Sequence, residues 1–443
     1  MANDGIDRRD FLKTASATGI GLAAATRLSP LFAGQSAGET VHVAVMGLNG
    51  RGTVLARTFA RTANTEVAYL CDVDSDVLAK AVGALQPVQS HSAKAIGDFR
   101  RALDDRDVDA LVIAAPDHWH APAAILAMKA GKHVYVEKPC GHDAHEGELL
   151  LAAQKKYRRV VQMGTQQRSA PQSIEAMQAI QDGAIGRPYL ARGWYANTRT
   201  GIGRGKAAPV PANLDYELWQ GPAPRTAYRD NVVHYNWHWF RTWGTGEICN
   251  NGTHEIDVCR WALGVDVPVR VSSAGGRYHF DDDWQFPDTQ EAVFEFDGGK
   301  TIIWQGQSCN GLQTFGRGRG TAILGTGGSI VLDRDGYSIY DLKNKPIKQV
   351  AAQQAGNALD TSADDTATGL HIANFVDAIR TGTRLHAPID EGVKSVHLCH
   401  LGNIAQQTGR KLRVDSASGR IVGDTEAMKS WQREYAPGWV PTV

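Results

Sequence analysis

Two stretches of the chain carry residue types that do chemistry, at spacings chemistry requires. Gly47-Leu48-Asn49-Gly50-Arg51-Gly52 follows the apolar run Val41–Met46 directly and opens a segment of helical periodicity. It matches G-x-G-x-x-G, with Asn49 at the middle glycine. A tight turn there brings helix N–H groups against a pyrophosphate. Asp72 ends the second apolar run, 20 residues after Gly52. An acid at that place accepts ribose hydroxyls and repels a 2′-phosphate, and Asp74 adds to the effect. No arginine follows to welcome the phosphate. Strand, glycines, helix and acid in this register predict NAD as cofactor, held by Gly47, Leu48, Asn49, Gly50, Arg51, Gly52 and Asp72.

The second stretch is Gly244–Asp257, with Asn250, His254 and Asp257 at i, i+4 and i+7. On one helix these three share a face. A histidine titrates near working pH and takes a hydroxyl proton while hydride leaves the same carbon. Asp257 then fixes its tautomer. Glu137-Lys138-Pro139 ends another apolar run, His133–Val136. The carboxyl end of a parallel strand is where ligands bind in open α/β sheets, and burial there lowers a lysine's pKa. Taken alone, Lys138 is a surface lysine at a strand end and His254 a core histidine at a domain junction. Their company with the glycine loop makes Lys138 and His254 the catalytic candidates. Asn250, Asp257 and Glu137 support them.

The run His234–Trp243 is aromatic and polar. Tyr and Trp faces stack on sugar rings, and His and Arg bond hydroxyls. Tyr235, His238, Arg241 and Trp243 are therefore substrate candidates. A packed inter-domain core accounts equally for about half of such a run. The His118/His120 and His234/His238 pairs lack a third ligand that the sequence can place, so no metal is expected.

Gly131–Pro139 reads GKHVYVEKP. With Ala115-Pro116-Asp117-His118-Trp119-His120, Gly164-Thr165-Gln166 and Gly183-Ala184-Ile185-Gly186, it resembles the glucose–fructose oxidoreductase, inositol dehydrogenase and rhizopine catabolism (Gfo/Idh/MocA) family. The resemblance covers Val41 to about Gly409. It implies a Rossmann domain followed by a sheet domain that makes oligomer contacts. It also implies hydride exchange between a nicotinamide and a sugar, cyclitol or related polyol. The EKP lysine then acts as acid/base, and His254 and Asp257 fall on the family's histidine and the acid one turn later. Pro116, His120, Gln166, Glu137 and Lys138 fall to the cofactor, and Trp119 and Arg168 to the substrate. Asn250 departs from the aspartate of many members. Asparagine takes no proton, which reduces a Lys–Asp–His relay to Lys138 and His254. The same superfamily holds glycosidases that oxidise, eliminate, add water and re-reduce. This sequence lacks the Tyr-Pro-Thr-His-Gly-Leu-Gly run associated with the N-acetylgalactosaminidase branch. A non-catalytic sugar sensor is a third reading, and retention of Lys138 and His254 argues against it.

The elements that must position these residues follow from periodicity. Val41–Met46, Val67–Cys71, Ala110–Ala115, His133–Val136 and Val160–Met163 alternate with helical segments, the pattern of a parallel sheet with right-handed crossovers. From Val267 to Tyr340 close-set alternating runs predict an open, mostly antiparallel sheet. The fold class is α/β: a Rossmann domain (40–166), then an α+β substrate and oligomerisation domain (167–410). A tail (411–443) carries Trp431, Tyr435 and Trp439 and is expected to pack on the body. Gln349–Thr366 reads as a polar loop. The long Asn197–Asp230 loop, with Gly201, Gly203 and Gly205, is a candidate cover, and its Arg199 and Arg204 are placed to reach a pyrophosphate or a partner subunit.

Residues 1–39 read as a leader. Arg8-Arg9-Asp10-Phe11-Leu12-Lys13 precedes a weakly apolar Ala15–Ala25 stretch, which resembles a twin-arginine export signal. The expected location is the periplasm or another exported site. The 443 residues contain 47 basic and 47 acidic side chains. That balance argues against a nucleic-acid partner, and no apolar run is long enough to span a bilayer. A small carbohydrate and further copies of the chain, as a dimer or tetramer, are the expected partners.

Overall fold

The computed structural model describes residues 39–352 and 366–443. The leader expectation on residues 1–39 thus lies outside the described residues, save for Glu39.

The first half alternates strand and helix. β1 (Val41–Met46), α1 (Arg51–Arg61), β2 (Thr65–Cys71), α2 (Ser75–Leu85), β3 (Lys94–Ile96) and α3 (Arg100–Leu103) come first. β4 (Ala110–Ile113), α4 (Asp117–Lys129), β5 (His133–Val136), α5 (Ala144–Tyr157) and β6 (Val161–Met163) complete it. The strands form one parallel sheet in the order β3-β2-β1-β4-β5-β6. Central strands are apolar almost throughout because helices cover both faces. Val41, Val43 and Val45 of β1 join one core with Leu55 and Phe59 of α1, while Ala44 and Met46 join another with Leu111 and Ile113. The three-residue edge strand β3 was not foreseen, since Lys94-Ala95-Ile96 is too short and too exposed to leave a pattern.

The second half begins with α6 (Pro171–Gln181), β7 (Pro188–Ala196) and α7 (Tyr216–Gln220). α8 (Gly246–Asn250) and α9 (Gly252–Leu263) follow, then β8 (Arg270–Gly276), β9 (Thr289–Phe296), β10 (Lys300–Gln307) and β11 (Arg319–Gly325). β12 (Ser329–Asp333), β13 (Gly336–Tyr340) and β14 (Pro346–Ala351) extend the sheet. After them come α10 (Thr366–Thr381), α11 (Ile389–Thr408), β15 (Leu412–Arg413) and α12 (Thr425–Met428). Nine strands pair in the order β14-β13-β12-β11-β7-β10-β9-β8-β15, antiparallel except for β7 with β10. The α9 and α11 helices cover one face through Ile256, Cys259, Leu263, Leu398 and Leu401. Of the loop expected over Gln349–Thr366, Gln349–Ala351 closes strand β14, Thr366 opens α10, and 353–365 lie outside the described residues.

Chain order and packing part company at α10. It follows the second sheet in sequence, yet Ile372, Phe375, Val376 and Ile379 pack into the first domain's core against Phe59 and Tyr135. The 167–410 division therefore cuts across a packing unit. Among the described residues no helix is long and apolar enough to cross a membrane.

Candidate active site

One cavity of about 490 Å³ lies between the two domains, within the size range of small-molecule sites. Its floor is the β1–α1 turn. Gly47 has φ 80°, and a Cβ at Gly52 would sit 1.7 Å from the Gly47 carbonyl oxygen, so the turn tolerates only glycine there. No side chain caps α1 at Gly50, so the N–H groups of this 11-residue helix remain open at its start. That is the arrangement that takes a dinucleotide's pyrophosphate. Asp72 accepts the Leu48 N–H at 2.6 Å and the Asp74 N–H at 2.9 Å. Each carboxylate oxygen keeps a second acceptor position, and Asp72 lines the cavity. These residues fit NAD.

Lys138 leaves the carboxyl end of β5 and reaches across the domain boundary. Its Nζ donates to the main-chain oxygen of Asn250 at 2.8 Å and to Oδ1 at 2.9 Å. Burial lowers its pKa, against the opposing pull of Glu137 and Asp117. Burial would lift the Glu137 carboxyl, but Arg51, with Lys138, outweighs it and holds Glu137 below the ordinary range. Arg51 Nε donates to Glu137 at 2.9 Å, and Gln166 donates to the same carboxylate at 3.1 Å. The Lys138–Pro139 peptide bond is cis.

His254 lines the same cavity from α9. Burial, helped by Arg334 and Lys138, takes its pKa well below the usual value, so the ring is neutral. Its Nδ1 is buried without a hydrogen-bond partner.

Several expectations require correction. Asn250, His254 and Asp257 do not share one helix: α8 ends at Asn250, and Gly252 starts α9. Asp257 does not orient His254. It takes both ends of Arg168 at 2.7 and 2.9 Å and accepts from Ser395 at 2.6 Å. Arg168 is thereby a buried structural partner and not a substrate contact. Trp243 packs in an aromatic cluster with Phe240 and Trp219. Arg241 turns outward, donating to Gln407 and lying over Phe286. Each of these four is off the cavity wall because a closer partner or a buried core claims its side chain.

Apart from Gly52, which packs against the Gly47 carbonyl, the other candidates meet at the cavity. Asn49, Gly50, Pro116, Trp119 and His120 line it with the groups above, as do Tyr235 and His238. Trp119 is fixed by its indole N–H, which donates to the Trp219 oxygen at 3.0 Å. The sequence reading missed Tyr195 and Asn251. Tyr195 had no motif around it, and Asn251, inside the Gly244–Asp257 stretch, falls off the Asn250–His254–Asp257 spacing. Arg199, expected to reach a pyrophosphate or a partner subunit, instead donates to Glu247 at 2.8 Å and to the Tyr235 hydroxyl at 2.7 Å. Arg204 pairs with Asp281 at the surface.

The 197–230 segment is a strap tied to the first domain at Asn213–Asp215. The Ser75 N–H donates to the Asn213 oxygen and the Asp215 N–H to the Val73 oxygen, both at 2.9 Å. Asn213 also donates to Asp74 at 2.9 Å, and His234 Nε2 lies 2.9 Å from the other Asp74 oxygen.

Fold and cavity together define a two-domain, dinucleotide-binding protein. The family model described as oxidoreductase family, NAD-binding Rossmann fold, matches residues 41–165, and its C-terminal alpha/beta domain matches 193–330. The chain belongs to the Gfo/Idh/MocA family and carries its NAD-binding domain.

Among curated proteins it is similar to a glycosyl hydrolase family 109 protein of Saccharopolyspora erythraea, 29% identical over 42% of this chain and 45% of the relative. An inositol 2-dehydrogenase of Salmonella typhimurium is 30% identical over 36% and 47%. The chain thus spans less than half the length of the curated relatives it matches. Among solved structures, levoglucosan dehydrogenase with NADH and levoglucosan has a TM-score of 0.67 at 19% identity, covering 85% of this chain and 99% of that one. An aldose-aldose oxidoreductase of Caulobacter crescentus has a TM-score of 0.64 at 20% identity, covering 85% and 100%. At these identities the likeness is one of fold.

Proposed function

We propose that the protein is an NAD-dependent oxidoreductase acting on a CH–OH group of a sugar, cyclitol or sugar derivative. The observation that carries this is the meeting of Lys138, Asn250 and His254 at the cavity whose floor is the glycine turn. A bound nicotinamide supplies the hydride acceptor and donor. Lys138 and His254 handle the hydroxyl proton, Lys138 as the group anchored to Asn250 and His254 as a neutral base. Tyr235, Trp119 and the polar wall of Tyr195, Arg199 and Asn251 orient the ring and its hydroxyls.

The strap supports a cofactor that stays bound, with the nicotinamide returned to its starting state within the site. Incubation with single sugars and sugar pairs, without added NAD, tests this. Sustained product with a constant nicotinamide signal supports the reading, and strict dependence on added NAD overturns the retention. A second reading, glycoside cleavage by transient oxidation, is favoured by the family 109 relatives and is tested by the same incubation with aryl glycosides.

The twin-arginine motif supports export, which Arg8→Lys with Arg9→Lys should abolish in a cell-fractionation assay. The face of the nine-stranded sheet opposite α9 and α11, where Leu190, Val293 and Ile303 are partly exposed, supports self-association into a dimer or tetramer. Light scattering of the purified protein tests it.

A further inference from the structure

His120, His234 and His238 line the cavity besides His254, and of these His238 is held with one ring nitrogen left to accept. His238 lies on the 3-10 turn Asn236–Trp239. Its Nδ1 is 2.6 Å from the main-chain oxygen of Tyr235. A carbonyl oxygen only accepts, so Nδ1 carries the proton and Nε2 keeps a lone pair.

Several contacts hold that ring in place. It stacks on Trp237, centroids 3.6 Å apart at 18°, with Tyr235 at 4.6 Å. Its main chain lies against Gly244, where a Cβ would come within 2.4 Å of the His238 carbonyl oxygen. Tyr235 has φ 78° and ψ −46°, close to a γ-turn geometry that is rare and strained for a residue with a side chain. That conformation aims its carbonyl at both the ring and the N–H of His238, the latter at 3.2 Å. Strain of this kind persists where the surroundings over-determine it, and it clusters at active sites. Burial, with the charge of Lys138, keeps the imidazole neutral.

We infer that His238 is a second proton acceptor, separate from Lys138 and His254, and that it removes a proton from the carbon next to the oxidised carbinol. This rests on the oxidoreductase reading. When a sugar carbon is a ketone, the C–H bond beside it is acidified. The proton goes to His238 Nε2. The C–H electron pair becomes the C=C bond of an enediolate, and the carbonyl π pair moves to oxygen. The Lys138 ammonium is the donor available to that oxygen. Return of the proton restores the ketone with no net redox change. Where the carbon beyond carries an alkoxy group, the oxygen pair re-forms C=O, the C=C pair shifts to form a new C=C bond to that carbon, and its C–O bond breaks. The alkoxide leaves, takes a proton from water, and an enone results.

The test incubates the NAD-loaded protein in D₂O with myo-inositol, D-glucose and methyl β-D-glucopyranoside, each separately. Recovered sugars are analysed by mass spectrometry and NMR while nicotinamide absorbance is followed. Deuterium should appear on the carbon adjacent to the oxidised one. His238→Gln, with His238→Asn as the alternative if it misfolds, should slow that exchange at least about tenfold. In the same variant the loss of exchange should exceed any loss of single-turnover nicotinamide reduction, with bound NAD retained; an equal loss of both overturns the inference. Exchange at the wild-type rate in a folded variant overturns the inference. So does wild-type protein that reduces nicotinamide without exchange, which leaves the oxidoreductase reading intact. No nicotinamide reduction with any of the three sugars removes that reading, and the inference with it.

Discussion

The ammonium of Lys138, from the first domain, is held by both oxygens of Asn250, from the second. A neutral partner accepts hydrogen bonds from the lysine without adding a negative charge beside it. Asn250→Asp adds that charge and so favours the ammonium, raising the Lys138 pKa. The limb of the kcat/KM–pH profile that reports the lysine should move to higher pH. Turnover in sugar oxidation should change by less than about tenfold, and an increase is compatible with the same chemistry. Loss of all activity in a folded variant would assign the amide a role beyond anchoring.

Lys138→Ala and His254→Ala should each lower turnover by about 10²–10⁴-fold, the range for positioned proton-transfer groups. Bound NAD should remain, since the glycine turn and Asp72 are untouched. Steady-state rates and released-nucleotide analysis check both halves.

The nucleotide released on denaturation should be NAD(H), not NADP(H). Asp72 faces the cavity with two acceptor positions already taken by main-chain N–H groups, and its remaining lone pairs repel a phosphate. Asp72→Ala should weaken NAD binding and narrow the preference over NADP, read by titration of the apo-protein.

The C-terminal tail is held by a buried pair. Arg433 donates to Glu146 at 2.6 and 2.9 Å, and Glu146 is fully buried. Arg433→Ala strands that carboxylate and should cost about 3–5 kcal/mol of stability. Chemical denaturation would measure it, with Glu146→Gln in the Arg433→Ala background recovering part of the loss.

Asp143 supplies a pH dependence to the same joint. Burial, then the charge of Glu146, pushes its carboxyl up to about 7. Its folded value exceeds the ordinary one of 3.8, so the native state binds this proton more tightly than the unfolded chain does. Its contribution to stability is therefore greatest below about pH 4 and is lost as pH rises to about 7. Tm should fall across about pH 4–7, and Asp143→Asn should flatten that slope.

Most of the site could be read from sequence wherever chemistry sits on local spacing. The glycine turn with Asp72, and Lys138 at a strand end, need only neighbours in the chain. Asp257 and Arg168 defeated the reading because their pairing spans 89 positions. A charged residue one turn from a histidine looks like its partner until a better one is seen. Asn251 broke the single helix assumed for Asn250 through Asp257. Tyr195 was invisible because its strand alternation marks it as core, and the cavity is made only when the domains meet. The folds of both domains were legible from period alone, while β3 and α10's place were not.

The return of α10 to the first sheet has a consequence for how the molecule is made. Phe375 closes the aromatic contact with Phe59 and Tyr135, so the domain that begins at residue 41 stays open on one side until residue 379 has left the ribosome. β7 likewise waits for β10 and β11, more than 100 residues downstream. Neither half is a module that can finish during synthesis, and a fragment ending near residue 166 would expose the Phe59–Tyr135 face. The first domain's core is thus completed only after the strands of the second sheet from β7 to β14 have been made.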